Sequence, residues 1–245
     1  MLEKFLSYLE KFQVLILGLL IAIGVVWATH IVARVLPTDG ITVTGSASKI
    51  VQSDNGTLEF SIVTKQKTRR LALTTAKNQI PTVKDYLKSK GISDKDINVK
   101  TPYGYNTYRT LPNGNSSNEV EFYNLSQPIE IKSNDVEKIK TISNDITNLM
   151  NNGIDIEAQA PQFYYSKISD LKVELLKEAT TDAKQRASAM LKATHNRTGK
   201  IQSVKMGVFQ ITSANSTDVS DGGIYDTASV EKKVTAVANV VFKIK

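Results

Sequence analysis

The stretch from Val14 to Ala33, which reads VLILGLLIAIGVVWATHIVA, constrains this chain more than any other part of its sequence. It contains no Asp, Glu, Lys or Arg, and its strongly polar residues are Thr29 and His30. A helix of about 20 apolar residues, rising about 1.5 Å per residue, crosses the roughly 30 Å hydrocarbon core of a bilayer. The pattern therefore predicts a transmembrane helix over residues 13–36.

Three interpretations compete for this segment: a retained membrane anchor, a cleaved signal peptide and a buried helix of a soluble core. A core helix at a protein surface is apolar along one stripe, whereas this segment is apolar on every face. A signal peptide has an apolar region of about 7–15 residues and a small-x-small cleavage site. The end of this run, Val26–His30, offers no Ala-x-Ala. We therefore expect a retained anchor, with cleavage as the open alternative.

Basic residues near the two ends of the span predict its orientation. Lys4 and Lys11 precede it, and Arg34 is the single basic residue in the first few positions after it. Because Lys and Arg are enriched on the cytoplasmic side, we expect a single-pass protein of the cell membrane with a cytoplasmic N-terminus and a periplasmic or extracellular body. Apolar residues at helical spacing also predict an amphipathic cytoplasmic segment over residues 1–12, at the inner membrane surface.

Two pairs of small residues lie within the predicted membrane helix. Gly18 is four positions from Ala22, and Gly24 is four positions from Ala28. Small residues at this spacing let two membrane helices approach closely, so these pairs predict helix association. The alternative is that Gly and Ala are simply common in membrane helices.

The composition of the remaining chain excludes several kinds of chemistry. There is no cysteine, which rules out disulfides, thiolate metal sites and cysteine nucleophiles. Two histidines exclude a multi-histidine metal site, so we expect neither a cofactor nor a metal. The net charge of +7 is a mild excess, and its densest cluster, Lys65–Arg70, is not interleaved with aromatic residues. Nucleic acid is therefore not an expected partner. We interpret the cluster instead as a solvated helix start or as a contact with anionic lipid headgroups.

The pattern of the chain after the anchor predicts an α+β body of mostly antiparallel sheet with about three helices packed on it. We expect a linker at 37–40 and a single domain over 41–245. The first two strands should form a hairpin. Among the helices, we expect a kink or break at Pro81, a capping box from Asn134 to Glu137, and Gly199 as the end of the last helix. The predicted strands are 41–50, 58–63, 96–105, 120–132, 154–165, 201–212 and 234–244; the helices are 68–90, 134–152 and 169–194; polar loops cover 106–118 and 213–229.

Several local strings in this order resemble the SIMPL-domain family, also called DUF541, whose bacterial members include a periplasmic immunogenic protein. The strings are Ile41–Gly45, Gly91–Ser93 with Asp96–Ile97, the alanine-rich helix around Ala183, and Val234–Phe242. The chain departs from the family pattern at Ser53–Gly56 and Glu121–Asn124. The resemblance implies a location outside the cytoplasmic membrane, a loose link to envelope stress, and ring-like homo-oligomers. The family has no agreed catalytic residues, so the resemblance implies none here.

Two further sets of residues superficially match known sites. His195, Asp182 and Ser188 all fall on one predicted helix or its end, whereas a catalytic triad needs groups converging from separate elements. Asp218–Asp226 faintly resembles a calcium loop, but the twelfth position is Ser229 and no helices flank it. We interpret the first as a helix-terminal histidine and the second as a loop facing solvent or a partner subunit.

Tyrosines cluster in the middle of the chain and form the predicted contact surface. They are Tyr103, Tyr105, Tyr108 and Tyr123. Residues two apart on a strand share a face, and tyrosine is enriched at protein interfaces. These residues therefore predict an interface, although the rim of a half-buried sheet would explain them as well.

The leading hypothesis is a membrane-anchored, non-enzymatic module of the cell envelope that forms homo-oligomers through its body or its membrane helix. The alternative is an envelope hydrolase with two carboxylates about 5–10 Å apart. A third reading is a cytoplasmic regulatory module tethered in the opposite orientation.

Overall fold

A computed structural model describes residues 2–35 and 40–245 of the chain. Residues 37–39 of the predicted linker lie outside the described residues, and so do the side chains of the predicted amphipathic segment up to Lys11. The helices are α1 (Leu2–Val35), α2 (Arg69–Ser89), α3 (Val136–Asp145) and α4 (Ile168–Lys192), with 3-10 turns at Asp94–Asp96 and Ile146–Asn152. The strands are β1 (Gly40–Gln52), β2 (Asn55–Gln66), β3 (Ile97–Val99), β4 (Tyr103–Thr110), β5 (Ser116–Ser133), β6 (Ile156–Ala158), β7 (Gln162–Tyr164), β8 (Thr198–Met206), β9 (Gln210–Ser213), β10 (Ile224–Tyr225) and β11 (Glu231–Ile244).

The chain divides into two compact units. The first comprises Met1–Gly45, Ala183–Lys205 and Asn239–Lys245, and the second comprises Ser46–Asp182 and Met206–Ala238. Four elements, β1, α4, β8 and β11, contribute residues to both units.

In the first unit, α1 contains an apolar window, Leu15–Val32, whose side chains are exposed along its whole length. By length and composition this window fits either a membrane anchor or a signal sequence. In the same unit, β8 pairs with the end of β11, and Arg197 and Lys245 exchange two backbone hydrogen bonds of 2.7 and 2.8 Å.

The second unit is built around a six-stranded antiparallel sheet in the order β3-β5-β2-β6, with β4 on β5 and β7 on β2. Along β2, every second residue is buried, as expected for a strand with helices on one face. These residues pack against α2 and α3, and the core members with the largest fully buried side chains include Leu58, Phe60, Ile62, Leu87, Ile129, Ile131, Ile139 and Ile142.

The other sheet has the strand order β1-β11-β9-β10, with β10 parallel to β9 and β9 antiparallel to β11. The helix α4 buries Leu171, Leu175, Ala179, Ala183, Ala187 and Leu191, whereas Met190 is exposed. It contacts β1 through two polar interactions. The Ser46 amide donates to Asp182 at 2.8 Å, and Lys49 pairs with Glu174 at 2.8 Å. Four helices with mixed, mainly antiparallel sheets confirm the predicted α+β class.

The predicted hairpin of the first two strands is wrong. β1 pairs with β11, whereas β2 pairs with β5, so the two strands belong to different sheets. Hydrogen bonds to residues distant in the sequence hold the turn between them. The Ser53 amide donates to the Val230 carbonyl at 2.8 Å, and the Asp54 amide donates to the Tyr164 carbonyl at 3.0 Å. The local sequence indicates a turn correctly, but it does not select the pairing partner.

Four other local expectations also differ from the structure. The predicted polar loop 106–118 is the hairpin of β4 and β5, and α2 continues through Pro81 without a break. The cap of α3 is Asp135, which accepts from the Lys138 amide at 3.1 Å, rather than Asn134. Gly199 lies inside β8 and not at a helix end.

Proline and backbone conformation account for some of these differences. The predicted strand 154–165 is interrupted around Pro161 into β6 and β7, because proline cannot donate to a ladder. The packing of α2 through Val83 and Leu87 maintains the helix beyond Pro81. After α4 the chain turns at His195, which has a positive φ of 61°.

Candidate functional site

The six-stranded sheet has a second face, opposite to α2 and α3, which we call the open face. It carries the β2 residues that alternate along the strand with the buried core residues. Examples are Ser61, Val63 and Lys65, which are half-exposed or exposed. In the sheet register, Val63 lies opposite Ser126 and Lys65 lies opposite Asn124. The open face is therefore formed jointly by β2, β5 and the strand that pairs with β5 on its other side, β4.

Two of the predicted interface tyrosines stand together on the open face. Tyr103 lies opposite Ser126 and Tyr105 lies opposite Asn124. Their side chains are 63% and 69% exposed, which is high for residues of this size within a sheet.

The other two tyrosines do not join that pair in a single surface. Tyr108 follows a register shift in the pairing of β4 with β5. Tyr123 points to the opposite face, where the Arg69 guanidinium lies 5.9 Å from its ring centroid. Strand alternation correctly predicted that Tyr103 and Tyr105 share a face. The face on which Tyr123 lies relative to them depends on the β4–β5 register, which the sequence does not give.

The outer edge of β4 is unpaired among the described strands, since β4 pairs with β5 alone. Its inner edge fits tightly against β5 at Gly104: a Cβ there would lie 2.3 Å from the Asn124 carbonyl oxygen. A glycine is therefore required for this approach. Two small cavities adjoin the strand, with volumes of about 260 and 130 Å³.

The larger cavity is lined by residues of α2, β4 and β5, including Arg69, Leu73, Tyr103, Tyr105 and Tyr123. The smaller one is lined by Val63, Ser126 and Glu157 together with the two exposed tyrosines. The Ser126 hydroxyl is buried and makes no hydrogen bond with the described residues.

Basic and aromatic side chains meet where β2 leads into α2. The Lys65 and Lys67 ammonium groups lie 4.2 and 3.9 Å from the centroid of the Phe122 ring. The basic cluster contains no aromatic residue in its own sequence, but the fold places one against it. Phe122 is distant in sequence, and the pairing of β2 with β5 brings it to the lysines.

One pair of carboxylates lies close together, as the hydrolase alternative requires. Glu59 and Glu130 lie directly opposite each other on β2 and β5. Lys100 lies between them, 2.7 Å from a Glu59 oxygen and 3.9 Å from a Glu130 oxygen. The hydrogen bond to Glu59 is the main cause that raises the pKa of Lys100. Because Lys132 also lies 3.6 Å from a Glu130 oxygen, these residues form a four-residue ion network on the sheet.

Hydrogen bonds, including those of a buried lysine, organise the loop whose sequence faintly resembles a calcium site. Gln210 donates to the Ser220 carbonyl at 2.7 Å and accepts from the Ser220 amide at 3.3 Å. Lys232 is buried and donates to the carbonyls of Asp226 and Ser229 at 2.7 and 2.6 Å. Within residues 2–35 and 40–245, no group of three or more metal-ligating side chains comes together.

The small residues of α1 lie on the exposed surface of that helix. Nothing lies within 4 Å of a Cβ built on Gly18 or Gly24. A helix turns about 100° per residue, so the Gly18–Ala22 pair and the Gly24–Ala28 pair are on different sides. Two copies of the helix would therefore associate through one pair or the other.

An α+β body that follows an apolar N-terminal helix defines the class of this protein. The family model for SIMPL, described as "Protein of unknown function (DUF541)", matches residues 41–242. The chain belongs to the SIMPL family, as the resemblance predicted. A comparison with curated proteins found no match.

Proposed function

We propose that this chain is a single-pass, membrane-anchored module of the cell envelope that assembles with further copies of itself through the outer edge of β4. The observation that carries the proposal is the exposed Tyr103–Tyr105 pair on a strand whose outer edge has no partner among the described strands. Association through the membrane helix, by Gly18–Ala22 or Gly24–Ala28, is a second route to the same assembly.

The composition of β4 favours pairing with another strand. An open strand edge presents unpaired backbone groups, and monomeric proteins usually block such edges with lysine, proline or a short strand. The strand reads YGYNTYRT, with Arg109 as its one charged residue and no proline. Tyrosine and threonine have high strand propensity. A second copy, related by a two-fold axis, would extend the sheet.

The anchor supports a location at the membrane, with the N-terminus in the cytoplasm and the body in the periplasm or outside the cell. The exposed apolar window of α1 and the placement of Lys4 and Lys11 before it support this orientation. The link to envelope stress that the family resemblance implies stays a prediction.

The alternative function is an envelope hydrolase based on Glu59 and Glu130. In such an enzyme the reacting oxygen and a water occupy the space between the two carboxyl groups. Lys100 occupies that space here, which favours a non-enzymatic function. Hydrolysis of envelope polysaccharide by the purified chain, abolished by Glu59→Gln, would support the hydrolase instead.

The assembly is tested by measuring the mass of the full-length protein in mild detergent by light scattering. We expect an oligomer for the natural chain and a smaller species for the Tyr103→Ser/Tyr105→Ser variant. Tyr225→Ser is the matched control, because Tyr225 is 54% exposed and lies on a different strand. A natural chain that is monomeric would contradict the proposal.

Single cysteines placed along β4 locate the contact, since the natural chain has no cysteine. Disulfide-linked dimers formed by cysteines at position 103 or at positions 105–110, and not by one at Tyr225, would support edge pairing. An oligomer that persists in the tyrosine variant but is lost in Gly18→Leu would assign the contact to the membrane helix instead.

A further inference from the structure

Four cations lie within six residues of one another where β2 leads into α2, and they have no acidic partners among the described residues. Lys65, Lys67, Arg69 and Arg70 are exposed, and none forms an ion pair with a described Asp or Glu. Lys88 at the end of α2, in contrast, pairs with Asp94 at 2.7 Å. The junction is thus a local concentration of unneutralised positive charge.

Two of these cations converge on one ring. The Lys65 and Lys67 ammonium groups lie 4.2 and 3.9 Å from the Phe122 centroid, so they are within about 8 Å of each other, and neither pairs with a described carboxylate. Like charges at this separation repel. An anion placed between or beside them would remove that repulsion, and the aromatic ring would keep the two ammonium groups in position.

The start of α2 adds to the same positive field. Its first turn contains no acidic residue and begins with Arg69 and Arg70, although the N-terminus of a helix carries a partial positive charge. Thr68 caps only the Leu71 amide. Leu71, next to the arginines, is an apolar side chain with 48% exposure.

We propose that the cluster of Lys65, Lys67, Arg69 and Arg70 binds the phosphate groups of anionic lipids at a membrane surface. Exposed basic residues beside aromatic and apolar side chains are the combination that contacts lipid headgroups. The candidate membrane helix belongs to the same chain and would hold a bilayer at a high effective concentration near the cluster. The inference rests on the proposed membrane attachment but not on the proposed assembly.

The experiment uses the full-length chain in nanodiscs of phosphatidylcholine, with or without phosphatidylglycerol. Amine acylation followed by mass spectrometry measures the reactivity of each lysine. We expect Lys65 and Lys67 to react several-fold more slowly in the anionic discs, and Lys95, which is exposed and has no ion pair among the described residues, to react equally in both. About 1 M salt, which shortens the Debye length to about 3 Å, should abolish the difference.

A variant series separates charge from burial. Arg69→Gln/Arg70→Gln should reduce the protection of Lys65 and Lys67 in anionic discs, while Lys77→Gln/Lys95→Gln should leave it unchanged, with circular dichroism as the check on folding. Protection by burial in an oligomer would be the same in both lipid mixtures, so it does not mimic the expected result.

Three outcomes overturn the proposal. Equal reactivity of Lys65 and Lys67 in the two kinds of disc would show that the cluster does not contact lipid phosphate. Protection by soluble polyphosphate added to neutral discs, without protection in anionic discs, would assign the cluster to a soluble polyanion. Failure of the chain to co-purify with either disc would refute the membrane attachment itself. This third outcome is distinguishable from the first two, in which the chain is attached to the disc but the cluster does not bind lipid phosphate.

Discussion

Individual charged side chains hold the loop ends of the second unit. The Asp54 carboxylate accepts from both the amide and the hydroxyl of Ser166 and so fixes the chain that enters α4. Lys232 performs the corresponding task for the loop before β11, where its ammonium group binds two carbonyls. Each contact joins segments that are distant in sequence or would otherwise be irregular, so its loss should be measurable in the stability of the body.

Asp54 should make the stability of the protein depend on acid pH. Burial opposes ionisation of this carboxyl, but the hydrogen bonds from Ser166 and Asn55 outweigh it and lower the pKa of Asp54. A carboxyl with a lowered pKa in the folded state stabilises above its unfolded pKa of about 3.9, and this contribution is lost as pH falls through the folded pKa.

We expect Asp54→Asn to lower the free energy of unfolding by about 1–2 kcal/mol at pH 7 and to flatten the stability profile below about pH 4. Thermal unfolding followed by circular dichroism at several pH values measures both effects. Asp155→Asn is the control, since Asp155 is exposed and forms no ion pair with the described residues. A profile with the natural slope in Asp54→Asn would contradict this assignment.

Lys232 should be a structural lysine rather than a reactive one. Its side chain is 3% exposed, and burial lowers its pKa, with the nearby Asp226 carboxylate opposing that effect. Lys232→Met keeps the length of the side chain but leaves two carbonyls and a partly buried carboxylate without their cation.

We expect this change to cost about 3 kcal/mol, as for other broken buried pairs, and to increase hydrogen exchange in the loop from Ser213 to Ser229. The neighbouring Lys233→Met, on the alternate face of β11, should change stability much less. Equal effects of the two substitutions would show that the buried ammonium group does not hold the loop.

At the scale of elements, the β4–β5 hairpin illustrates how a polar segment becomes a strand. Its tip is a turn in which the Leu111 amide donates to the Asn115 carbonyl at 2.8 Å, and Gly114 has the positive φ of 83° that the turn requires. The residues Pro112–Asn115 at this tip have the composition of a turn. The flanking residues lack a clean apolar alternation, because both faces of the outer hairpin are exposed.

Gly104→Ala should loosen this hairpin. The new Cβ would lie 2.3 Å from the Asn124 carbonyl oxygen, so the two strands would have to separate. We expect a loss of about 1–3 kcal/mol and faster amide exchange in β4. Asn106→Ala, on the same strand, serves as the control, and equal stability of the two variants would contradict the close approach at Gly104.

For the whole molecule, the consequence of the proposed anchor is a body that lies outside the cytoplasm. We expect protease added to intact cells to digest the body of the natural chain. Lys4→Gln/Lys11→Gln removes the basic bias before the span and leaves Arg34 after it, so a larger protected fraction is expected. A natural chain that resists protease until the cells are opened would support the opposite orientation.

The sequence by itself determined the features that depend on neighbouring residues. These are the apolar helix over Leu15–Val32, the helical period of α4, the α+β class, the membership of the SIMPL family, and the exclusion of cysteine chemistry. Periodicity, length and composition are local properties, and local interactions are sufficient to specify them.

The tertiary structure alone decided which distant segments meet. It placed β1 beside β11 instead of β2, turned Tyr123 away from Tyr103 and Tyr105, and brought Phe122 to Lys65 and Lys67. The physical reason is that strand partners and register are selected by burial of the whole core, and a shift of one residue moves every side chain to the other face. The composition of the open face and the contact of the basic cluster with Phe122 therefore depend on strand register, which the sequence alone does not specify.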